Sequence, residues 1–508
     1  MRAAHLPGLA LLLTTLSLPA LCAETAPEAR AGDEKPVPEA RTWVTQHRAR
    51  IGGSVIAYTA TAGTMLMKND ADEPIALFGY TAYTKDGEDP RTRPIMFAYN
   101  GGPGSASAWL HMGILGPKRT VLRDLEYNTQ GPFRTVENEF SILDQADLVM
   151  IDPVGTGFSR PVGKGEGKDF WGVDQDIESV SDFIVRFLND HGRWSAPKFI
   201  LGESYGGMRT AGVSQALLEK HDVALNGIIL LSPYLDFGSG HAGVTLDVPY
   251  VNFLSTYAAT AWYHHALAAR PAELQPFLRE VEAFAEGVYA PVLYKGSRAT
   301  PEERRQVLEG LERYTGVSAS YWDKANLRMD EGQFLQELLR DRGKVVGRID
   351  TRYVGDTTDA LSENMPYDPY SAHVAPAIVA TFNDYYRRDL KVETEREYIL
   401  SGGLYRSWDQ GHAQPGRRWK LPYPDTKMDL AHAMTLNPRM KVLVQSGYFD
   451  LACPYRTAEY AVEHLDVSPE VRQNVTIEYY EAGHMMYVHE PSMRKFKDDL
   501  AGFVSANH

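Results

Sequence analysis

Lys198-Phe199-Ile200-Leu201-Gly202-Glu203-Ser204-Tyr205-Gly206 opens with a short, largely apolar run and closes in a Gly-x-Ser-x-Gly turn. The run reads as a buried strand. Gly202 and Gly206 permit a cramped strand-to-helix bend that lifts the Ser204 hydroxyl clear of a sheet. A serine hydroxyl is a weak nucleophile at neutral pH, so the bend has chemical meaning only if a base comes within hydrogen-bond reach. Taken alone, the motif is equally an ordinary glycine-rich turn.

Two later segments supply the base and its partner. Met440-Lys441-Val442-Leu443-Val444 reads as a buried strand, with Asp450 in the loop that follows. Residues 474–480 read as the next strand, and Gly483-His484-Met485 comes in the loop after it. Single Asp and His residues are mostly surface or capping groups. These two arrive at the carboxyl ends of strands, where open α/β sheets place ligands. His484 can take the Ser204 proton and return it to a leaving group, while Asp450 fixes the imidazole tautomer. Upstream, the apolar run 94–99 leads into Asn100-Gly101-Gly102-Pro103-Gly104-Ser105. The backbone amides of Gly102 and Tyr205 are the natural oxyanion pair. Glycine-rich loop, Ser, Asp, His is the chain order of an α/β-hydrolase.

The organisation agrees. Residues about 50 to 84 alternate and turn like antiparallel strands at a sheet edge. Apolar runs at 94–99, 148–152, 198–201 and 226–232, separated in part by helical stretches, give β-α-β alternation. The strand signal then stops for about two hundred residues. In that interval Thr300-Pro301-Glu302-Glu303 is a capping box, and Phe334, Leu335, Leu338 and Leu339 repeat at helical spacing. The expected architecture is an α/β-hydrolase fold: a doubly wound, mostly parallel sheet with an inserted helical cap. Its expected parts are a signal peptide (1–23), a flexible linker (24–40), a first core segment (41–238), the cap (239–390) and a second core segment (391–508).

Five segments in this order resemble the serine carboxypeptidases, in a form similar to their bacterial members. They are 100–105, 152–159 (Asp152 to Ser159), 202–206, 446–453 (Ser446 to Cys453) and 483–485. The resemblance spans about 94 to 491. It implies a Ser204, Asp450, His484 triad with Gly102 and Tyr205 as oxyanion donors, and release of C-terminal residues from peptides through an acyl-enzyme. The family reads the substrate α-carboxylate with the Asn of the glycine-rich loop, the Glu before the nucleophile and a second Glu downstream. The first two match Asn100 and Glu203; the third falls on Ile114, a departure that weakens carboxylate recognition or shifts its pH range. His111, three residues earlier, is either a substitute or a packing histidine. Cys453 and Met485 are expected at the pocket, Cys453 as a small apolar wall. The same triad would also serve an esterase, an acyltransferase or another exopeptidase, and a catalytically silent binding protein is the remaining alternative.

Composition sets outer limits. The chain of 508 residues is 44% hydrophobic and carries a net charge of −14. That is enough for a large core and the wrong sign for nucleic acid. Arg2 precedes an apolar stretch at 6–18 that is short for a bilayer span, as in an export signal. The two cysteines are Cys22 and Cys453, and Cys22 falls in or beside that leader, so no disulfide framework is expected. An exported protein, periplasmic or secreted, acting on peptides without metal, cofactor or membrane span is the resulting expectation. Gly155-Thr156-Gly157 lacks the third glycine of a dinucleotide loop, and no Cys/His cluster has zinc spacing. Oligomeric state is not legible.

Overall fold

Three long strands, Thr42–Ile51 (β1), Ser54–Lys68 (β2) and Pro74–Lys85 (β3), form an antiparallel meander at one end of a larger sheet. Alternate residues of β1 face solvent, as suits an edge, whereas β3 is buried continuously over 76–83. The computed structural model describes residues 37–241 and 246–508. The expected leader, Cys22 and all but 37–40 of the expected linker lie outside the described residues.

The remaining sheet strands are Ile95–Tyr99 (β4), Asp147–Asp152 (β5), Lys198–Glu203 (β6), Gly227–Leu231 (β7), Lys441–Gly447 (β8) and Val475–Tyr480 (β9). The order across the sheet is β1-β2-β3-β5-β4-β6-β7-β8-β9, with Arg160–Pro161 pairing to β3. From β5 to β9 every pairing is parallel. Parallel strands are covered on both faces. Phe97, Ile200, Ile228 and Val442 point into one core cluster, whereas Met96, Leu201, Ile229 and Leu443 point into another. Helices Val173–Asp190 and Gly206–His221 cover the first face, and Pro369–Arg388 and Glu490–Ala506 cover the second. The chain leaves β4 toward β5 on one side and later enters β6 on the other. The carboxyl ends of β4 and β6 therefore flank a topological switch point, where ligands bind in open α/β sheets. Doubly wound order and strand-to-helix elbow together make this an α/β-hydrolase fold.

Between β7 and β8 lies the inserted segment. Its helices Val248–Tyr263, Leu274–Phe284, Pro301–Thr315 and Glu331–Glu337 build a third apolar cluster around Tyr257, Leu311, Trp322 and Phe334. Thr300 and Glu303 make the reciprocal capping bonds read from sequence. Two features differ from the sequence reading. A short antiparallel pair, Lys344–Val346 with Val354–Asp356, sits where no strand is legible, because three-residue strands carry no periodicity. Helix Pro369–Arg388, assigned to the cap by sequence, packs Tyr370, Val374, Phe382 and Tyr385 into the cluster against the sheet.

A buried ion pair ties the first helical layer to the glycine-rich loop. Arg209, fully buried, donates through Nε to Asp176 Oδ2 at 2.7 Å and through Nη1 to Asn100 O at 2.8 Å. Its guanidinium also lies over the rings of Tyr99 and Tyr205. Asp176→Ala would strand that charge in the core, and the expected loss of stability is about 3–5 kcal/mol. Urea denaturation checks this; a midpoint equal to wild type would mean that water or a repacked neighbour satisfies Arg209.

Candidate active site

Three loops at the carboxyl ends of sheet strands meet above the switch point. The first is the elbow after β6. Ser204 is held at φ 64°, a left-handed conformation that costs a non-glycine residue energy and is kept by its surroundings. Those surroundings are bonds from Ser204 N to Leu231 O at 2.9 Å, and to Ser204 O from Gly207 N at 2.8 Å and Tyr234 N at 3.1 Å. The result is a hydroxyl partly open to a cleft of about 500 Å³, in a neighbourhood otherwise buried.

The second and third loops follow β8 and β9. Asp450 is fully buried, and both its oxygens are engaged. Oδ2 accepts from His484 Nδ1 at 2.8 Å, and Oδ1 accepts from the Cys453 N–H at 2.8 Å. With Nδ1 committed to Asp450, His484 presents Nε2 to the cleft. Burial alone would lower the proton affinity of this imidazole, but the adjoining Asp450 carboxylate and Cys453 hold its pKa well above the ordinary histidine value. His484 N–H is anchored on Ile349 O at 2.7 Å, and Ser232 Oγ donates to His484 O at 2.9 Å.

The glycine-rich loop after β4 lies against the elbow. A Cβ on Gly101 would stand 2.5 Å from Tyr205 N and 2.6 Å from Gly206 N, so only glycine allows this approach. Among the described residues, neither the Gly102 nor the Tyr205 amide finds an acceptor within the protein. Both residues line the cleft beside Ser204. Two unengaged amides beside the Ser204 hydroxyl are what an oxyanion formed there would require. The loop is braced from beneath by Asp152, which accepts from Ser107 N, Ser107 Oγ and Tyr398 OH at 2.8–2.9 Å.

Asn100, Glu203 and Met485 also line the cleft. Glu203 is buried; Tyr487 OH donates to its Oε2 at 3.0 Å, and His484 Nε2 lies 4.0 Å from its Oε1. Burial pushes the Glu203 carboxyl up to about 7, against the opposing pull of His484, the Tyr487 hydroxyl and the Asn100 side chain. Asn100 Oδ1 accepts from Leu110 N at 3.1 Å. Cys453 is buried, with its Sγ 3.8 Å from Ser204 Oγ. Burial raises its thiol pKa.

Around the departure at Ile114 the structure decides between the two readings left open for His111. Ile114 is in the core, and His111 is buried against Tyr83, whose hydroxyl is 2.5 Å from its Nε2; burial drops the imidazole pKa to about 3. His111 therefore packs and does not serve the cleft. A polar contact to Glu203 comes instead from Tyr487, whose hydroxyl donates to its carboxyl. Gly113 makes its room: a Cβ there would sit 2.4 Å from the Tyr487 ring.

Asp450, Cys453 and His484 bring an oxygen, a sulfur and a nitrogen within 4.8 Å of one another. Asp450 and His484 already bond each other there, so the group is organised for proton transfer. A larger cavity of about 900 Å³, near Trp43, Phe158 and Arg387, contains none of these groups. Chemistry, not size, marks the site.

Residues 60–268, which include the glycine-rich loop and Ser204, match the family described as serine carboxypeptidase. Serine carboxypeptidase-like 10 of Arabidopsis thaliana is 28% identical over 173 residues, 32% of this chain and 37% of that protein. The pheromone-processing carboxypeptidase KEX1 of Saccharomyces cerevisiae is 33% identical over 164 residues, 30% of this chain and 21% of that protein. The matched segment thus spans well under half the length of these relatives. The crystal structure of Kex1(delta)p, a prohormone-processing carboxypeptidase from Saccharomyces cerevisiae, superposes with a TM-score of 0.49 at 15% identity, covering 89% of this chain and 91% of that one.

Proposed function

We propose that the protein removes C-terminal residues from peptides through an acyl-enzyme on Ser204, a reading supported by the match of residues 60–268 to the serine carboxypeptidase family. The observation that carries this reading is one cleft holding both Ser204 with His484 and a buried carboxyl, Glu203, poised to be neutral in acid.

Ser204 Oγ attacks the carbonyl carbon of the last peptide bond, and its proton passes to His484 Nε2. The oxyanion is held by the Gly102 and Tyr205 amides. His484 gives the proton to the departing amine as the C–N bond breaks, leaving the acyl group on Ser204. Water then attacks the ester, His484 takes its proton, and Ser204 regains it as the acid leaves. Asp450 holds the imidazolium throughout.

Selectivity for a C-terminus needs donors for a free carboxylate. Protonated Glu203 and the Asn100 amide supply them, with the Tyr487 hydroxyl orienting Glu203. Ionised Glu203 would repel the carboxylate and, 4.0 Å from Nε2, would also favour the protonated imidazole of His484, which must be neutral to act as base. The sign follows for Glu203: its contribution to binding free-acid peptides is present below about pH 7 and is lost as pH rises through that value, while His484 must shed its own proton to act as base. Glu203→Gln keeps a neutral donor at every pH, so its kcat/KM is expected to stay level where wild type declines. Pre-steady-state and steady-state profiles from acid to mild alkali check this; parallel decline of both proteins removes Glu203 from the carboxylate site.

An exported location belongs to the same proposal and is supported by the apolar stretch at 6–18 behind Arg2. No helix among the described residues is long and apolar enough to cross a membrane.

The test is a time course on an amino-blocked peptide with a free C-terminus. Shortening by one residue at a time from that end supports the proposal. Cleavage at internal bonds only, or an intact peptide beside rapid hydrolysis of simple esters, counts against it.

A further inference from the structure

Among the residues lining the catalytic cleft, one carries a permanent positive charge. Arg348 follows the short strand Lys344–Val346 of the inserted segment and faces the same space as Ser204 and His484. Its guanidinium offers five donors in a rigid fork. Among the described residues it makes one long bond, from Nη2 to Ala452 O at 3.4 Å. No carboxylate among the described residues comes within ion-pair distance of it. Glu331, Asp450 and Asp368 act on it only from further away, and Asp368 takes the Arg348 backbone N–H at 3.2 Å instead.

Four more deeply buried arginines are paired with carboxylates. Arg209 bonds Asp176, Arg352 bonds Asp350 and Asp124, and Arg93 and Arg193 share Asp147. Arg348 differs in opening onto a cleft that must admit substrate. Its position relative to the chemistry is fixed by backbone: Leu451 N donates to Arg348 O at 3.2 Å, and His484 N donates to Ile349 O at 2.7 Å. The loops that carry Asp450 and His484 therefore also aim this fork. With Glu203 neutral in acid, nothing else lining the cleft offsets its charge.

We propose that Arg348 is a specificity-determining residue that binds a carboxylate of the peptide substrate. This rests on the carboxypeptidase reading and extends it. A planar fork with unfilled donors is completed by a carboxylate in bidentate fashion, which lysine cannot reproduce. Two carboxylates are within its chemistry. One is the α-carboxylate of the departing residue, which has lost a family ligand at Ile114. The other is an acidic side chain on the residue whose carbonyl Ser204 attacks.

The experiment uses the full chain as wild type, Arg348→Met and Arg348→Lys. Substrates are amino-blocked peptides ending in Glu-Leu or Gln-Leu, each as free acid and as amide, with acetyl-Glu and acetyl-Gln esters as peptide-independent probes. The expected result is that Arg348→Met loses one selectivity ratio by on the order of 10- to 100-fold, with Arg348→Lys intermediate. Collapse of the Glu over Gln ratio identifies the side-chain carboxylate, and collapse of the acid over amide ratio identifies the terminal one. Ratios equal in wild type and Arg348→Met overturn the proposal. So does a loss by one common factor on every substrate, which is what a purely structural arginine would give. A wild type that cleaves no peptide but prefers the acetyl-Glu ester, with that preference lost in Arg348→Met, refutes the carboxypeptidase reading and keeps the role of Arg348.

Discussion

Ser204→Ala is expected to lower kcat on peptide substrates by on the order of 10⁶. The size follows from geometry. The elbow places one hydroxyl in the cleft, and the neighbouring thiol cannot replace it. Cys453 Sγ is only 3.8 Å away, but it is buried, and burial raises its pKa. A neutral, occluded thiol is a poor nucleophile. The substitution removes one atom from a partly exposed position, so the fold should be kept and thermal unfolding should match wild type. Single-turnover assays at high protein concentration measure the residual rate. Activity close to wild type would mean that another group forms the covalent bond, or that water attacks directly.

Asp450→Asn is expected to cost about 10⁴ in kcat, chiefly through the wrong imidazole tautomer. The bonding around Asp450 forces that outcome here. Oδ1 accepts the Cys453 N–H, so an asparagine at 450 must keep its oxygen on that side. Its NH₂ then faces His484 Nδ1, which must be an acceptor, and the ring proton moves to Nε2. An imidazole protonated at Nε2 cannot take the proton from Ser204. Because the Cys453 bond survives, the loop after β8 should stay in place, and the loss should appear in kcat far more than in KM. A variant with wild-type kcat would place Asp450 outside the catalytic chain.

Legibility in the sequence followed the range of the interactions. Ser204, Asp450 and His484 each hang from the end of a strand whose apolar run is visible within a few residues, so local reading reaches them. The parallel sheet is legible for the same reason: Phe97, Ile200, Ile228 and Val442 belong to runs buried on both faces. The polar surroundings of Glu203 are not legible. Tyr487 reaches it from 284 residues away, and only the missing side chain of Gly113 lets the ring in. For His111 the sequence leaves a substitute ligand and a packing histidine open, and only the placement of Tyr83 and the aromatic cluster around it decides for packing. Arg348 carries no signal either: it follows a three-residue strand inside a helical insertion and meets the cleft only through bonds to loops more than a hundred residues later.

The most direct measurement of the central claim is covalent labelling with a fluorophosphonate, mapped by peptide mass spectrometry while C-terminal release is followed in the same samples. The account predicts one adduct per chain, on Ser204, with peptide release lost in proportion to labelling. Full occupancy of Ser204 with release continuing, or inactivation tracking an adduct on another residue, would contradict it.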